Sequence, residues 1–161
     1  MNNSSAVILS ELISPATIIL NLAGDGRDAV LEELVAQIPA LAGQPEARQT
    51  LRRALHEREQ LCSTAIGDGV ALPHARNALV GLVNEPVIVF GRHGQGVPYG
   101  ALDGVPAKLF FLVVAPTVTQ HLAVLARLSR LLRDPKLRKS LLQADTAKKV
   151  QALFLEAEAK Q

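Results

Sequence analysis

Cysteine is nearly absent from this chain, tryptophan is wholly absent, and no apolar stretch is long enough to cross a bilayer. The single cysteine, Cys62, permits neither a disulfide framework nor a thiolate metal cluster, which suits a reducing cytoplasm and predicts a structural role for the thiol. Aromatic residues make up 3% of the 161, too few for a platform on which bases stack. The longest apolar run, Leu109 to Pro116, falls far short of the roughly 20 residues a membrane helix needs, so no membrane insertion is expected. Met1-Asn2-Asn3-Ser4-Ser5 lacks the basic start of a signal peptide, and Glu11 interrupts the apolar stretch after it, which again predicts a cytoplasmic protein. Basic residues number 17 against 15 acidic ones, leaving a net charge of +2 that is too small and too interleaved for nucleic acid as a main ligand. No G-x-x-x-x-G-K-[ST] loop and no G-x-S-x-G elbow occurs, which argues against nucleotide-driven and serine-hydrolase chemistry.

What is present is an aliphatic chain, 48% hydrophobic, of a length that predicts one domain over residues 1–161. Residues Ala6 to Ile13 read as a short helix or an irregular lead-in, and Ser14-Pro15 as a cap with a proline at the first helical position. Thr17 to Leu22 reads as a first strand closed by Gly24-Asp25-Gly26. From Arg27 to Ile38, apolar residues recur at helical spacing until Pro39, and a second helix is expected from Pro45 to Glu59. Its arginines, Arg48, Arg52, Arg53 and Arg58, read mostly as solvated. Pro86 to Phe90 predicts a strand, and the glycine-rich Gly91 to Gly100 a loop or irregular edge with an exposed His93. Ala107 to Val114 is apolar at nearly every position, as a central strand covered on both sides should be. Thr117 and Gln120 form a capping box for a helix with Leu122, Leu125, Leu128, Leu131 and Leu132 on one side. Asp134-Pro135 starts a short helix and Asp145 or Thr146 a last one. The expected fold is an α/β sandwich with a mixed central β-sheet flanked by helices on both faces.

Function has to be sought in Ser63 to Arg76, which reads as a hairpin around Gly67-Asp68-Gly69 and ends in His74 behind Pro73. Proline fixes its own φ and biases Leu72 toward extended backbone, so the imidazole is delivered with few options. Such a histidine is either a working nucleophile or base, or an ordinary residue at the end of a turn. The four histidines, His56, His74, His93 and His121, do not form a metal pattern: none pair at i,i+4 on one helix and no cysteine partner is spaced for zinc. Neither a metal nor a cofactor is expected. Arg58 at the end of a helix and His121 in the first turn of another complete a set suited to an anion, because a guanidinium can grip phosphate oxygens and a helix N-terminus favours negative charge.

Arg58-Glu59-Gln60-Leu61-Cys62-Ser63-Thr64, followed by Ala65-Ile66-Gly67-Asp68-Gly69-Val70-Ala71-Leu72-Pro73-His74, resembles the signature of the type-2 enzyme IIA domains of the bacterial phosphoenolpyruvate-dependent phosphotransferase system, the mannitol, fructose and nitrogen-regulatory group. Asp103-Gly104, the strand from Leu109 to Pro116, and His121-Leu122 with its leucine-rich helix follow in the family's order, so the resemblance covers about residues 12–154. It implies that His74 takes a phosphoryl group from the histidine-containing phosphocarrier protein and passes it on. It also implies that Arg58 steadies the phosphoryl oxygens, that His121 is the second histidine of the site, and that Thr64 can add a hydroxyl. The chain departs from the common pattern at Ala65, at Asp68, where asparagine is usual, and at Ala75, where glycine is usual; the charge of Asp68 raises the question of weakened transfer.

A chain ending at Gln161 with no permease attached resembles the free-standing nitrogen-regulatory branch, in which phosphorylation controls binding to regulatory target proteins of the sensor-kinase or transporter type. The alternatives are a fructose- or mannitol-type enzyme IIA serving a separate permease, and a binding module that keeps the fold without phosphotransfer.

Overall fold

The computed structural model describes residues 7–76 and 81–160. Helix α1 (Leu9–Leu12) leads through a 3-10 turn at Pro15–Thr17 into the two-residue strand β1 (Ile18–Ile19). Helices α2 (Arg27–Ala36) and α3 (Pro45–Leu61) precede a hairpin of β2 (Ala65–Gly67) and β3 (Val70–Ala71). The long strands β4 (Val87–Val97) and β5 (Ala107–Val114) follow, then α4 (Val118–Leu131), α5 (Pro135–Gln143) and α6 (Ala147–Ala159). The sheet order is β1-β4-β5-β3-β2, with β1 parallel to β4, β4 antiparallel to β5, β5 parallel to β3 and β3 antiparallel to β2.

β5 is the middle strand, and its alternation builds two cores. Leu109, Phe111 and Val113 pack with Leu9 of α1 and with Val124, Leu128, Leu141, Val150 and Phe154 of α4 to α6. Phe110, Leu112 and Val114 pack on the other face with Val30 and Leu34 of α2 and Leu51 and Leu55 of α3. Phe111 sits between Phe90 and Phe154 in edge-on contacts, with ring centroids 5.2 and 5.6 Å away. The sheet is therefore mixed and covered by helices on both faces, as its residue pattern predicts.

The helix starts are local and follow their caps. Thr117 Oγ1 accepts from Gln120 N at 3.2 Å, Asp134 Oδ1 from Lys136 N at 2.9 Å, and Thr146 Oγ1 from Lys149 N at 3.1 Å. Glu158 of α6 joins distant pieces: its carboxylate accepts from the backbone of Leu9 and Ser10 and pairs with Arg127 Nε at 3.1 Å. Those contacts hold the N-terminal helix, whose short sequence has no strong helical signal of its own.

Several expectations need correction. The first strand is only Ile18–Ile19: the capped turn Pro15–Thr17 takes in Thr17, and the pairing with β4 ends at Ile19 opposite Gly91. In the glycine-rich segment after Phe90, β4 runs on to Val97 with an irregular register between Arg92 and Val97, and only Pro98 to Gly100 lies outside regular structure. Gly91 permits this by its lack of a side chain, since a Cβ there would lie 2.8 Å from both Leu22 Cδ1 and Leu34 Cδ2. His93 is half-buried rather than exposed, with Nε2 2.9 Å from Gly24 O and Nδ1 accepting from Gly96 N at 3.0 Å. On α4 the buried stripe is His121, Val124, Leu128 and Leu131, and Leu122 is 59% exposed. Cys62 is exposed, not structural. The short apolar connection from Arg76 to Val83, whose pattern suits a helix turn or a strand, lies partly outside the described residues.

Gly91→Val should lower the stability to urea by about 1–3 kcal/mol through overpacking against Leu22 and Leu34. Gly94→Val, which meets nothing within 4 Å, should change it by less than about 0.5 kcal/mol. Equal unfolding midpoints for the two variants would contradict the close packing at Gly91.

Candidate functional site

His74 leaves the sheet at the end of β3. Leu72 N donates to Thr64 O at 3.1 Å, and Val113 N donates to Pro73 O at 3.0 Å, so the chain stays extended beside β5 and His74 forms a parallel bridge with Val113. Val70 and Leu72 face the core beneath α4 to α6, and His74, two residues on, falls on that same side by alternation. His121, in the first turn of α4, approaches from above. The two imidazole centroids are 5.5 Å apart and tilted by 60°. His121 is 5% exposed and His74 is half-buried.

His74 Nδ1 lies 2.6 Å from Leu72 O. A carbonyl oxygen only accepts, so Nδ1 carries the proton and the lone pair of the neutral ring is on Nε2. Burial pulls the pKa of His74 below that of a free histidine, and it outweighs the raising effect of the Leu72 carbonyl; the Arg58 guanidinium lowers the pKa further and the Glu59 carboxylate raises it. Burial, helped by the nearby His74, lowers the pKa of His121 as well. Both rings are therefore held toward the neutral form.

The last turn of α3 supplies two charges of opposite sign, about 100° apart around the helix. Arg58 is half-buried and its Nη1 donates to Cys62 O at 2.6 Å, satisfying a carbonyl just beyond the helix end, where a cation is also favoured by the dipole. Glu59 points inward and is only 5% exposed. A buried carboxylate needs donors, and it has three: Thr64 N at 3.0 Å, Thr64 Oγ1 at 2.5 Å, and Tyr99 Oη at 2.9 Å. Burial and the Glu59 charge push the Tyr99 phenol well above its usual pKa, so it remains a donor.

The structure thus brings His74 and His121 together and sets the charge of Arg58 where the ring of His74 feels it. Thr64 is buried one layer behind, with its hydroxyl proton committed to Glu59. His56 is elsewhere, on the exposed side of α3 at 3.5 Å from Asp28. Among the described residues there is no group of three or more His, Cys, Asp or Glu that could hold a metal, and no helix long and apolar enough to cross a membrane. Sequence reasoning assigned no role to Glu59 or Tyr99. A glutamate on a strongly charged helix reads as solvated, and its partner 40 residues onward is brought to it only by the fold. Asp68 takes the left-handed conformation at the hairpin tip, with φ of 57°; its N–H donates to Asp103 Oδ2 at 2.8 Å and its own carboxylate lies 3.8 Å from Arg138 Nη2.

Chemically the arrangement offers an unprotonated ring nitrogen, a neighbouring neutral imidazole and a cation, which suits attack on an anionic electrophile. The family model described as "Phosphoenolpyruvate-dependent sugar phosphotransferase system, EIIA 2" matches residues 11–157. The chain is 41% identical over 140 residues to a fructose-specific EIIABC component of Bacillus subtilis; the alignment takes in 86% of this chain and 21% of that protein, so this chain spans only a small part of that relative. It is 34% identical over 135 residues to a nitrogen regulatory protein of Bradyrhizobium diazoefficiens, covering 83% of this chain and 85% of the relative. The crystal structure of nitrogen regulatory protein IIA-Ntr from Neisseria meningitidis superposes with a TM-score of 0.81 at 27% identity, over 92% of this chain and 99% of that one. The fold is the α/β fold of that structure. By the family model over residues 11–157 and the relatives it resembles along most of its length, the chain belongs to the EIIA 2 family of the phosphoenolpyruvate-dependent sugar phosphotransferase system.

Proposed function

We propose that the protein is a phosphocarrier. Nε2 of His74 accepts a phosphoryl group from the histidine-containing phosphocarrier protein, and the phosphorylation state then governs binding to regulatory target proteins of the sensor-kinase or transporter type. The observation that carries this reading is the hydrogen bond from His74 Nδ1 to Leu72 O at 2.6 Å, which leaves Nε2 as the nucleophilic nitrogen. Its lone pair attacks phosphorus while the bond from phosphorus to the donor imidazole breaks, and the electron pair of that bond leaves with the donor ring. The transferred group carries spread negative charge, which Arg58 steadies. His121 stands beside the accepting ring, and Thr64 supports the site from behind through Glu59. No metal or cofactor enters the scheme.

The regulatory output is supported by the match to nitrogen regulatory proteins over most of their length. A second reading, a sugar-specific enzyme IIA passing phosphate to a separate permease, is favoured by the 41% identity to a fructose-specific component. Transfer from phosphorylated His74 to a permease's cytoplasmic domain, with sugar phosphorylated, would select the second reading. Retained partner binding without any labelling would select a non-phosphorylated binding module.

Incubation with labelled phosphoenolpyruvate, enzyme I and the phosphocarrier should label the wild type and not His74→Ala; equal labelling of the two would sink the proposal. Arg58→Ala should still be labelled, but on the order of 10²-fold more slowly, as expected when one stabilising donor is removed from a transition state. The pH profile carries a sign. Because the folded-state pKa of His74 is lowered from the ordinary 6.5, the accepting neutral form persists below that pH. Single-turnover uptake should therefore stay flat as pH falls from 8 to 6.5 and decline only below it. A midpoint above 6.5 would contradict the burial of the ring.

A further inference from the structure

Glu59 is the one acidic side chain among the buried polar groups of the described residues, and phosphoryl transfer as set out above gives it no direct task. Its contacts form a chain that ends on the phosphoacceptor. Tyr99 Oη donates to one carboxylate oxygen at 2.9 Å; that same oxygen accepts from Thr64 Oγ1, and the other accepts from Thr64 N at 3.0 Å. Thr64 is thus gripped at both its side chain and its backbone. Its own carbonyl accepts from Leu72 N at 3.1 Å, and the Leu72 carbonyl accepts from His74 Nδ1 at 2.6 Å. The far end is also anchored: Ser63 Oγ donates to Tyr99 O and accepts from Ala65 N at 3.0 Å, which ties the segment around Tyr99 to the start of β2.

We infer that Glu59 is a positioning residue for the phosphoacceptor: held by Tyr99, its carboxylate clamps Thr64, and through the Thr64–Leu72 backbone pair it fixes the carbonyl that sets the tautomer of His74. Only the consequence for phosphoryl uptake rests on the phosphocarrier reading; the consequence for the imidazole does not. The geometry separates two effects. As a clamp, Glu59 keeps the proton on Nδ1. As a charge, it opposes Arg58, its neighbour on α3, in the field at His74, where His121 of α4 is the other titratable neighbour.

The test uses ¹⁵N-labelled imidazoles in the full chain, read by long-range ¹H–¹⁵N spectra across a pH series, with phosphoryl uptake followed in parallel. In the wild type, neutral His74 should be the Nδ1–H tautomer. Glu59→Gln should remain folded, show a mixture of tautomers, titrate at lower pH because the carboxylate's raising effect is gone, and take up phosphate on the order of ten- to a hundred-fold more slowly. Tyr99→Phe keeps the charge and removes one grip. It should mix the tautomers and slow uptake without lowering the titration midpoint, and it decides the matter if Glu59→Gln fails to fold. A pure Nδ1–H tautomer in the folded variants would overturn the inference, even with a lowered midpoint, because Glu59 would then act only as a charge. If the wild type takes up no phosphate, the phosphocarrier reading fails while the spectra still decide the role of Glu59.

Discussion

The pairing of β3 with β5 is the constraint on which the site depends. β3 is two residues long and would not hold an extended conformation alone. It is pinned at its start by Gly69 O, which accepts from Lys108 N at 2.8 Å and Leu109 N at 3.0 Å, and past its end by Val113 N on Pro73 O. β5 can serve as this template because its own register is fixed by apolar side chains on both faces. A slip of one residue in β3 would turn Val70 and Leu72 out of one core and Ala71 out of the other. It would also turn His74 away from His121. The apolar alternation that stabilises the sheet therefore also aims the imidazole.

Electrostatics follow from where that alternation leaves the ring. Bringing a guanidinium near a histidine does two things at once: it disfavours the imidazolium and it prepares a place for an anion. Burial acts in the same direction on the ring. The Leu72 carbonyl opposes both by stabilising N–H at Nδ1, but this bond costs the nucleophile nothing, since it leaves Nε2 bare. A nitrogen that is unprotonated near neutral pH and a cation whose charge reaches it are thus consequences of one placement, at the junction of the α3 C-terminus and the β3 exit.

Features set within a few residues were legible from the amino-acid order. The caps at Thr117, Asp134 and Thr146, the hairpin around Asp68 and the two-sided strand at Ala107–Val114 each depend on local chemistry or on a pattern of uniform apolarity. The extension of β4 through Gly91 to Val97 was not, because glycine normally marks a break and here marks close approach by Leu22 and Leu34. Leu122 departed from its expected place for a similar reason. Counting leucines put Leu122 on the buried stripe, whereas the helical repeat that best meets the sheet runs through His121, Val124, Leu128 and Leu131. In the site, His74, Arg58 and His121 carry chemistry that a residue type announces. Glu59 and Tyr99 act through burial and mutual contact, which no spacing along the chain encodes.

Asp68 illustrates how far a charge can be from the chemistry its motif suggests. The hairpin needs a residue that tolerates the left-handed conformation, and aspartate does so nearly as well as asparagine. Its carboxylate is exposed and lies 3.8 Å from Arg138 of α5, a pair that contributes at most about 1 kcal/mol. Direction matters more than strength. Asp68 precedes β3 and His74 follows it, so the four extended residue steps from Val70 to His74 alone place them on the order of 13 Å apart. That exceeds the screening length of about 8–10 Å at physiological salt, and Arg138 answers the charge locally. Glu59 and Arg58, by contrast, are the charged side chains whose fields bear on the ring. The acidic group that matters to His74 is the buried one on α3, not the exposed one in the turn.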